Sequence, residues 1–132
     1  MIECLILGDS IAVGTHQARP QCSVIARSGI NSRDWVNRNI SKMPFQAKTV
    51  IISLGSNDYR GINTEAELRL IRSQTQAHRV YWIVPAIKAD IQSLVKKVAH
   101  DHHDTVLHIT QVSADGVHPT AQGYRTLALQ AK

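Results

Sequence analysis

Five short apolar runs, separated by polar stretches with helical spacing, constrain the fold of this chain more than any other feature. They are Glu3–Leu7, Ser23–Ala26, Thr49–Leu54, Arg79–Val84 and Thr105–Ile109. Each is nearly continuous in Val, Ile or Leu, as a strand covered on both faces is, rather than alternating as a half-exposed strand does. Between them, helical spacing predicts helices over Asn31–Ile40, Thr64–Gln76, Asp90–His100 and Thr120–Ala131, with a further helix beginning at Ser10. Thr64-Glu65-Ala66-Glu67 has the form of a capping box. Asp90 is an N-cap candidate, and Ile91, Leu94, Val95 and Val98 share one face. Strands alternating with helices imply a parallel sheet with right-handed crossovers and helices on both faces. The expected architecture is a single three-layer α/β/α domain over residues 1–132, with five parallel strands in the order 2-1-3-4-5.

Composition narrows the function classes. Aromatic residues make up only 5% of the 132-residue chain, so aliphatic side chains fill most of the core. No apolar run approaches the roughly 20 residues needed to cross a bilayer. Ile2–Leu7 is too short for a signal sequence and lacks a basic lead-in. A cytoplasmic protein without integral membrane association is therefore expected. The formal charge of +5 comes from scattered basic residues, not from a basic run interleaved with aromatics. That pattern reads as a solvated basic surface rather than a nucleic-acid site, and it is compatible with mild steering toward an acidic polymer or phospholipid. Cys4 and Cys22 are too few for a disulfide framework and have no ligand spacing. Cys4 is expected as a small buried hydrophobe; a Cys4–Cys22 bridge is the alternative if their strands are neighbours.

An open α/β sheet binds ligands beyond the carboxyl ends of its strands. Gly8-Asp9-Ser10 follows the first predicted strand, Gly29 the second, Gly55-Ser56-Asn57-Asp58 the third, and Asp115-Gly116-Val117-His118-Pro119 the fifth. A serine hydroxyl becomes an effective nucleophile when a histidine takes its proton, and a carboxylate fixes that histidine's tautomer. Asp115 and His118 have the spacing of such a pair on a tight turn permitted by Gly116, and Pro119 suits the first position of the last helix. Acyl transfer also needs donors aimed at the developing oxyanion. The Ser10 amide at a helix start, the Gly29 amide and the Asn57 carboxamide are candidates.

These blocks together resemble the SGNH (GDSL-type) hydrolases, and the likeness spans essentially the whole chain. The resemblance implies a flavodoxin-like sandwich, with Ser10 as nucleophile, His118 as base and Asp115 as its orienter. It also implies an oxyanion hole from Ser10, Gly29 and Asn57, and no metal or cofactor. It does not choose among acetylated sugars, lipids, thioesters and peptides. The chain is shorter than many such proteins, which leaves little for lids and suggests an open site suited to a short acyl group on a small or polymer-borne alcohol. A monomer is expected.

Other readings of the same residues are weaker. Gly8 to Gly14 lacks the phosphate-loop pattern and its lysine. Ala12 excludes the Gly-x-Ser-x-Gly elbow. Asp58 reads as structural, bonding local amides. His100, His102 and His103 with Asp101 and Asp104 read as a solvated helix end rather than a metal site. Trp35, Trp82 and Tyr81 are expected in the core or packed against helices.

Overall fold

A computed structural model describes residues 1–132 and shows a parallel sheet sandwiched between helices. In chain order the elements are β1 (Ile2–Gly8), α1 (Ser10–Ala18), β2 (Ser23–Ala26), α2 (Ser32–Asn39), a 3₁₀ turn (Ile40–Lys42), β3 (Phe45–Ser53), α3 (Thr64–Ser73), β4 (Thr75–Gln76), β5 (Arg79–Val84), α4 (Ala89–Asp101), β6 (Thr105–His108) and α5 (Ala121–Gln130). The main sheet runs β2-β1-β3-β5-β6, all parallel, and β4 pairs only with the start of β3. With β4 set aside, this is the expected strand order. No helix is long and apolar enough to cross a membrane.

The near-continuous apolar strands are explained by two cores, one on each face of the sheet. Leu5, Leu7, Val50 and Ile52 point to one side, where they meet Trp35 and Val36 of α2, Leu68 and Ile71 of α3, and Val95 and Val98 of α4. Ile6, Ile51, Ile83 and Leu107 point to the other, against Ile11 and Ala12 of α1 and Leu127 of α5. Alternate residues of one strand thus feed different cores. Trp35 and Trp82 are buried as expected.

Several local expectations are corrected. β3 begins at Phe45, four residues before the predicted start, because Phe45 and Ala47 are buried while Gln46 and Lys48 are exposed. That half of the strand alternates, and its apolar signal is diluted accordingly. The third helix ends at Ser73 rather than Gln76: Thr75 pairs with Phe45, and its hydroxyl donates to the Ile71 carbonyl at 2.7 Å. Asn63, not Thr64, caps α3 by accepting from the Ala66 amide, which frees the Thr64 hydroxyl for Asp58. Asp90 lies inside the first turn of α4, whose cap position is held by Lys88 in a left-handed conformation. Pro119 precedes the Thr120 cap of α5 instead of starting the helix.

Cys4 is not a free buried thiol. It is bonded to Cys22. β1 and β2 are direct neighbours, with Leu5 opposite Ser23, so the preceding residues of the two segments face one another.

Candidate active site

The β1–α1 turn presents Ser10. Gly8 ends β1 with φ +144°, and a Cβ there would lie 1.9 Å from the Ser53 carbonyl oxygen of β3. Only a glycine permits that approach. Asp9 then caps α1: its carboxylate accepts the Ile11 amide at 3.0 Å and the Ser53 hydroxyl at 3.1 Å. Ser10 follows at the first helical position, half-buried, where backbone amides have no intrahelical acceptor.

The loop between β6 and α5 is braced by its own backbone. Val112 and Pro119 form an antiparallel bridge, the Ser113 amide donates to the His118 carbonyl at 2.8 Å, and the Gly116 amide donates to the Ser113 carbonyl at 3.0 Å. Gly116 has φ +74°, the conformation the turn requires. Within this frame Asp115 Oδ1 accepts from the Val117 and His118 amides and the Ser113 hydroxyl, at 2.8, 2.9 and 2.8 Å. Its other oxygen, Oδ2, lies 2.6 Å from His118 Nδ1, and His118 Nε2 lies 2.7 Å from Ser10 Oγ. An unbroken Ser–His–Asp chain therefore joins residues 108 positions apart in sequence.

The electrostatics agree with that geometry. The His118 and Val117 amides, then the imidazole and the Ser113 hydroxyl, hold the Asp115 carboxyl well below the usual carboxylate range. Asp115 is thus an anion near neutral pH, and it favours the tautomer with hydrogen on Nδ1. Nε2 is then free to accept the Ser10 proton. Asp9 behaves oppositely. Burial raises its carboxyl to about 6, and its Oδ2 has no hydrogen-bond partner.

Gly29 and Asn57 stand on the two turns flanking the β1–α1 turn. Gly29 has φ +80°, and its amide makes no hydrogen bond within the chain. A Cβ at Gly29 would meet nothing within 4 Å, so backbone conformation rather than protein crowding explains the glycine. Asn57 Nδ2 donates one hydrogen to the Ile30 carbonyl at 3.1 Å, which orients the carboxamide and leaves a second N–H free. Asp58 is structural, but through groups brought from another helix and a hydroxyl rather than through local amides. Buried, it accepts from the Ser32 amide and hydroxyl at 2.8 and 2.5 Å and from Thr64 Oγ1 at 2.6 Å, joining the starts of α2 and α3.

All five residues singled out from sequence (Ser10, Gly29, Asn57, Asp115 and His118) lie on the turns at one edge of the sheet. The supporting roles of Ser53 and Ser113 were not anticipated. Ser113, two residues before Asp115, has a spacing from which its bond was readable. Ser53 gives no such signal, because its partnership depends on how β3 lies beside β1. The histidines at the end of α4 are exposed, with His102 in the C-cap position.

No model of a known protein family matches the sequence, and no curated protein is similar to it. Solved structures are similar. A GDSL-like lipase from Bacteroides thetaiotaomicron superposes with a TM-score of 0.70 at 19% identity, over 96% of this chain and 84% of the other. Phospholipase A1 from Streptomyces albidoflavus gives 0.70 at 15% identity, over 98% and 99%. The catalytic domain of peptidoglycan O-acetyltransferase A from Streptococcus pneumoniae gives 0.62 at 18% identity, over 98% and 92%. Strand order, helix placement and these superpositions agree, and the chain has the SGNH (GDSL-type) hydrolase fold.

Proposed function

We propose that the chain is a serine esterase that cleaves carboxylic esters through an acyl-enzyme, without a metal or cofactor. The observation carrying this reading is the aligned chain of short contacts from Ser10 Oγ through both nitrogens of His118 to Asp115. Ser10 Oγ attacks the ester carbonyl carbon while its proton passes to His118 Nε2. The new oxyanion accepts from the Gly29 and Ser10 amides and the free Asn57 N–H. Collapse breaks the bond to the alcohol, which leaves with the proton from Nε2. Water, deprotonated by His118, then attacks the acyl-enzyme and releases the acid, restoring Ser10.

The exposure of the site supports a substrate class. Asp115 and His118 keep 50% and 39% of their side-chain surface exposed, so this half of the triad lies at the protein surface. A short acyl group, such as acetyl, on a larger and possibly carbohydrate alcohol fits such a surface. Among the structural neighbours, one is described as an O-acetyltransferase and others as lipases.

Hydrolysis of p-nitrophenyl acetate, butyrate and octanoate by wild type and Ser10→Ala tests this reading. The expected result is turnover that is greatest for acetate, persists with EDTA and disappears in the variant. Rates rising steadily to octanoate would replace it with a lysophospholipase or thioesterase. No turnover by folded protein would indicate a non-catalytic binding module.

A further inference from the structure

The nine arginines of this chain divide into two groups. Six have partners: Arg19, Arg79 and Arg125 bond carbonyl oxygens, Arg69 and Arg72 bond carboxylates, and Arg33 bonds the Tyr59 hydroxyl. The guanidinium groups of Arg27, Arg38 and Arg60 make no hydrogen bond or ion pair. They lie along grooves on the loops that follow β2 and β3. Arg27 and Arg38 line an open groove of about 380 Å³ whose wall includes Gly29 and Ile30. Arg60 lines a second groove of about 660 Å³ together with Asp58, one residue beyond Asn57.

Hydrogen bonds join the segment that lines the first groove to the end of β1 and to Asn57. The Arg27 amide donates to the Gly8 carbonyl at 3.0 Å, and the Ile30 carbonyl holds Asn57 at 3.1 Å. Asp34, the carboxylate in the groove, is already engaged by the Asn31 side chain at 3.1 Å and by Arg33 at 3.6 Å. Two arginines with unspent side-chain donors therefore line the groove, and a forked donor matches a carboxylate or phosphate. Arg38 also complements the C-terminal end of α2, but that role uses none of its side-chain donors.

We infer that the groove between Arg27 and Arg38 binds an anionic oxygen group, a carboxylate or a phosphate, on the alcohol part of the ester. The inference rests on the esterase reading for its location beside the reacting carbonyl. Its ligand chemistry rests on the unpaired arginines alone. A neutral alcohol leaves both cations solvated, whereas an anionic one is drawn toward the site and positioned beside Gly29. The preference is expressed in KM, because the group is held before and during acyl transfer alike.

Three matched esters test it: 4-acetoxybenzamide, 4-acetoxybenzoate and 4-acetoxyphenyl phosphate. At low salt, kcat/KM for at least one anionic ester should exceed that for the amide by about tenfold, through a lower KM. Carboxylate and phosphate selectivity are separated by which ester gains. The advantage should shrink toward parity in roughly 0.5 M salt, where charges in open grooves are screened. In Arg27→Gln/Arg38→Gln the ratio of anionic to neutral kcat/KM should fall close to one, while Lys96→Gln on the exposed face of α4 should leave it intact. A wild-type ratio near one, or a ratio that survives the double substitution, overturns the inference.

A binding measurement separates this outcome from failure of the esterase reading. ¹⁵N NMR of Ser10→Ala protein titrated with 4-acetoxybenzoate and 4-acetoxyphenyl phosphate should show saturable shifts at Gly29 and the Arg27 and Arg38 guanidinium groups with at least one ester. Those shifts should disappear when both arginines are replaced. Binding without hydrolysis in wild type would retain the anion site and remove the esterase. No saturable shift with either ester would remove the site.

Discussion

Gly8 of β1 and Ser53 of β3 approach so closely that a Cβ on Gly8 would stand 1.9 Å from the Ser53 carbonyl oxygen. That carbonyl accepts the Asp9 amide at 3.0 Å, and the Ser53 hydroxyl donates to the Asp9 carboxylate at 3.1 Å. The position of the Ser10 turn is thus set by the neighbouring strand. Gly8→Ala combines a backbone clash with a conformation that L side chains rarely adopt, φ +144°. We expect it to destabilise the fold by about 3 kcal/mol or more, read as a shift of the urea midpoint or as loss of soluble protein.

Asp115→Asn keeps an oxygen acceptor for the Val117 and His118 amides but places an NH₂ group against His118 Nδ1. The imidazole must then present a lone pair at Nδ1 and a hydrogen at Nε2, where the Ser10 proton has to go. Ester turnover should fall by roughly 10²–10⁴-fold with little change in thermal stability. Initial-rate kinetics beside a melting curve check both halves; near-wild-type turnover would remove Asp115 from the mechanism.

Asn57→Ala deletes the free N–H and also the bond to the Ile30 carbonyl. Under the proposed mechanism, in which this donor serves the charge formed in the transition state, a drop in kcat of roughly 10²–10³-fold with a small change in KM is expected. A change confined to KM would place Asn57 in ground-state binding instead.

Asp9 gives a pH signature to stability. Burial raises its carboxyl in the folded chain from 3.8 to about 6. The folded state thus binds the proton more tightly than the unfolded state. The resulting stabilisation is complete below about pH 4 and is lost as pH rises through about 6. Asp9→Asn cannot ionise and still offers an oxygen to the Ile11 amide. Relative to wild type it should gain about 2–3 kcal/mol between pH 4 and pH 8. Urea unfolding at both pH values measures the difference, and a pH-independent gap would contradict an ionising buried Asp9.

Much of the fold was legible because doubly covered strands have a distinctive composition. Glu3–Leu7, Thr49–Leu54 and Arg79–Val84 were near-continuously apolar, and each feeds cores on both sides of the sheet. Boundaries were less legible where elements compete for the same residues. Thr75 has helical neighbours, yet pairing with Phe45 removes it from α3. The first half of β3 is exposed on alternate residues, so its apolar signal weakens before its hydrogen bonding does.

The site divides along the same line. By itself the sequence determined the local chemistry: the Asp115–His118 spacing, the need for flexible backbone at Gly116, and the succession of turns after strands. These depend on residues a few positions apart, whose geometry short-range sterics and hydrogen bonding dictate. Only the tertiary structure decided which distant groups meet. It placed Ser10 within 2.7 Å of His118, joined Cys4 to Cys22, buried Asp9 against Ser53, and left Arg27 and Arg38 without partners beside Gly29. Those relations come from strand order and helix packing, which sum many weak long-range contacts that no short stretch of sequence contains.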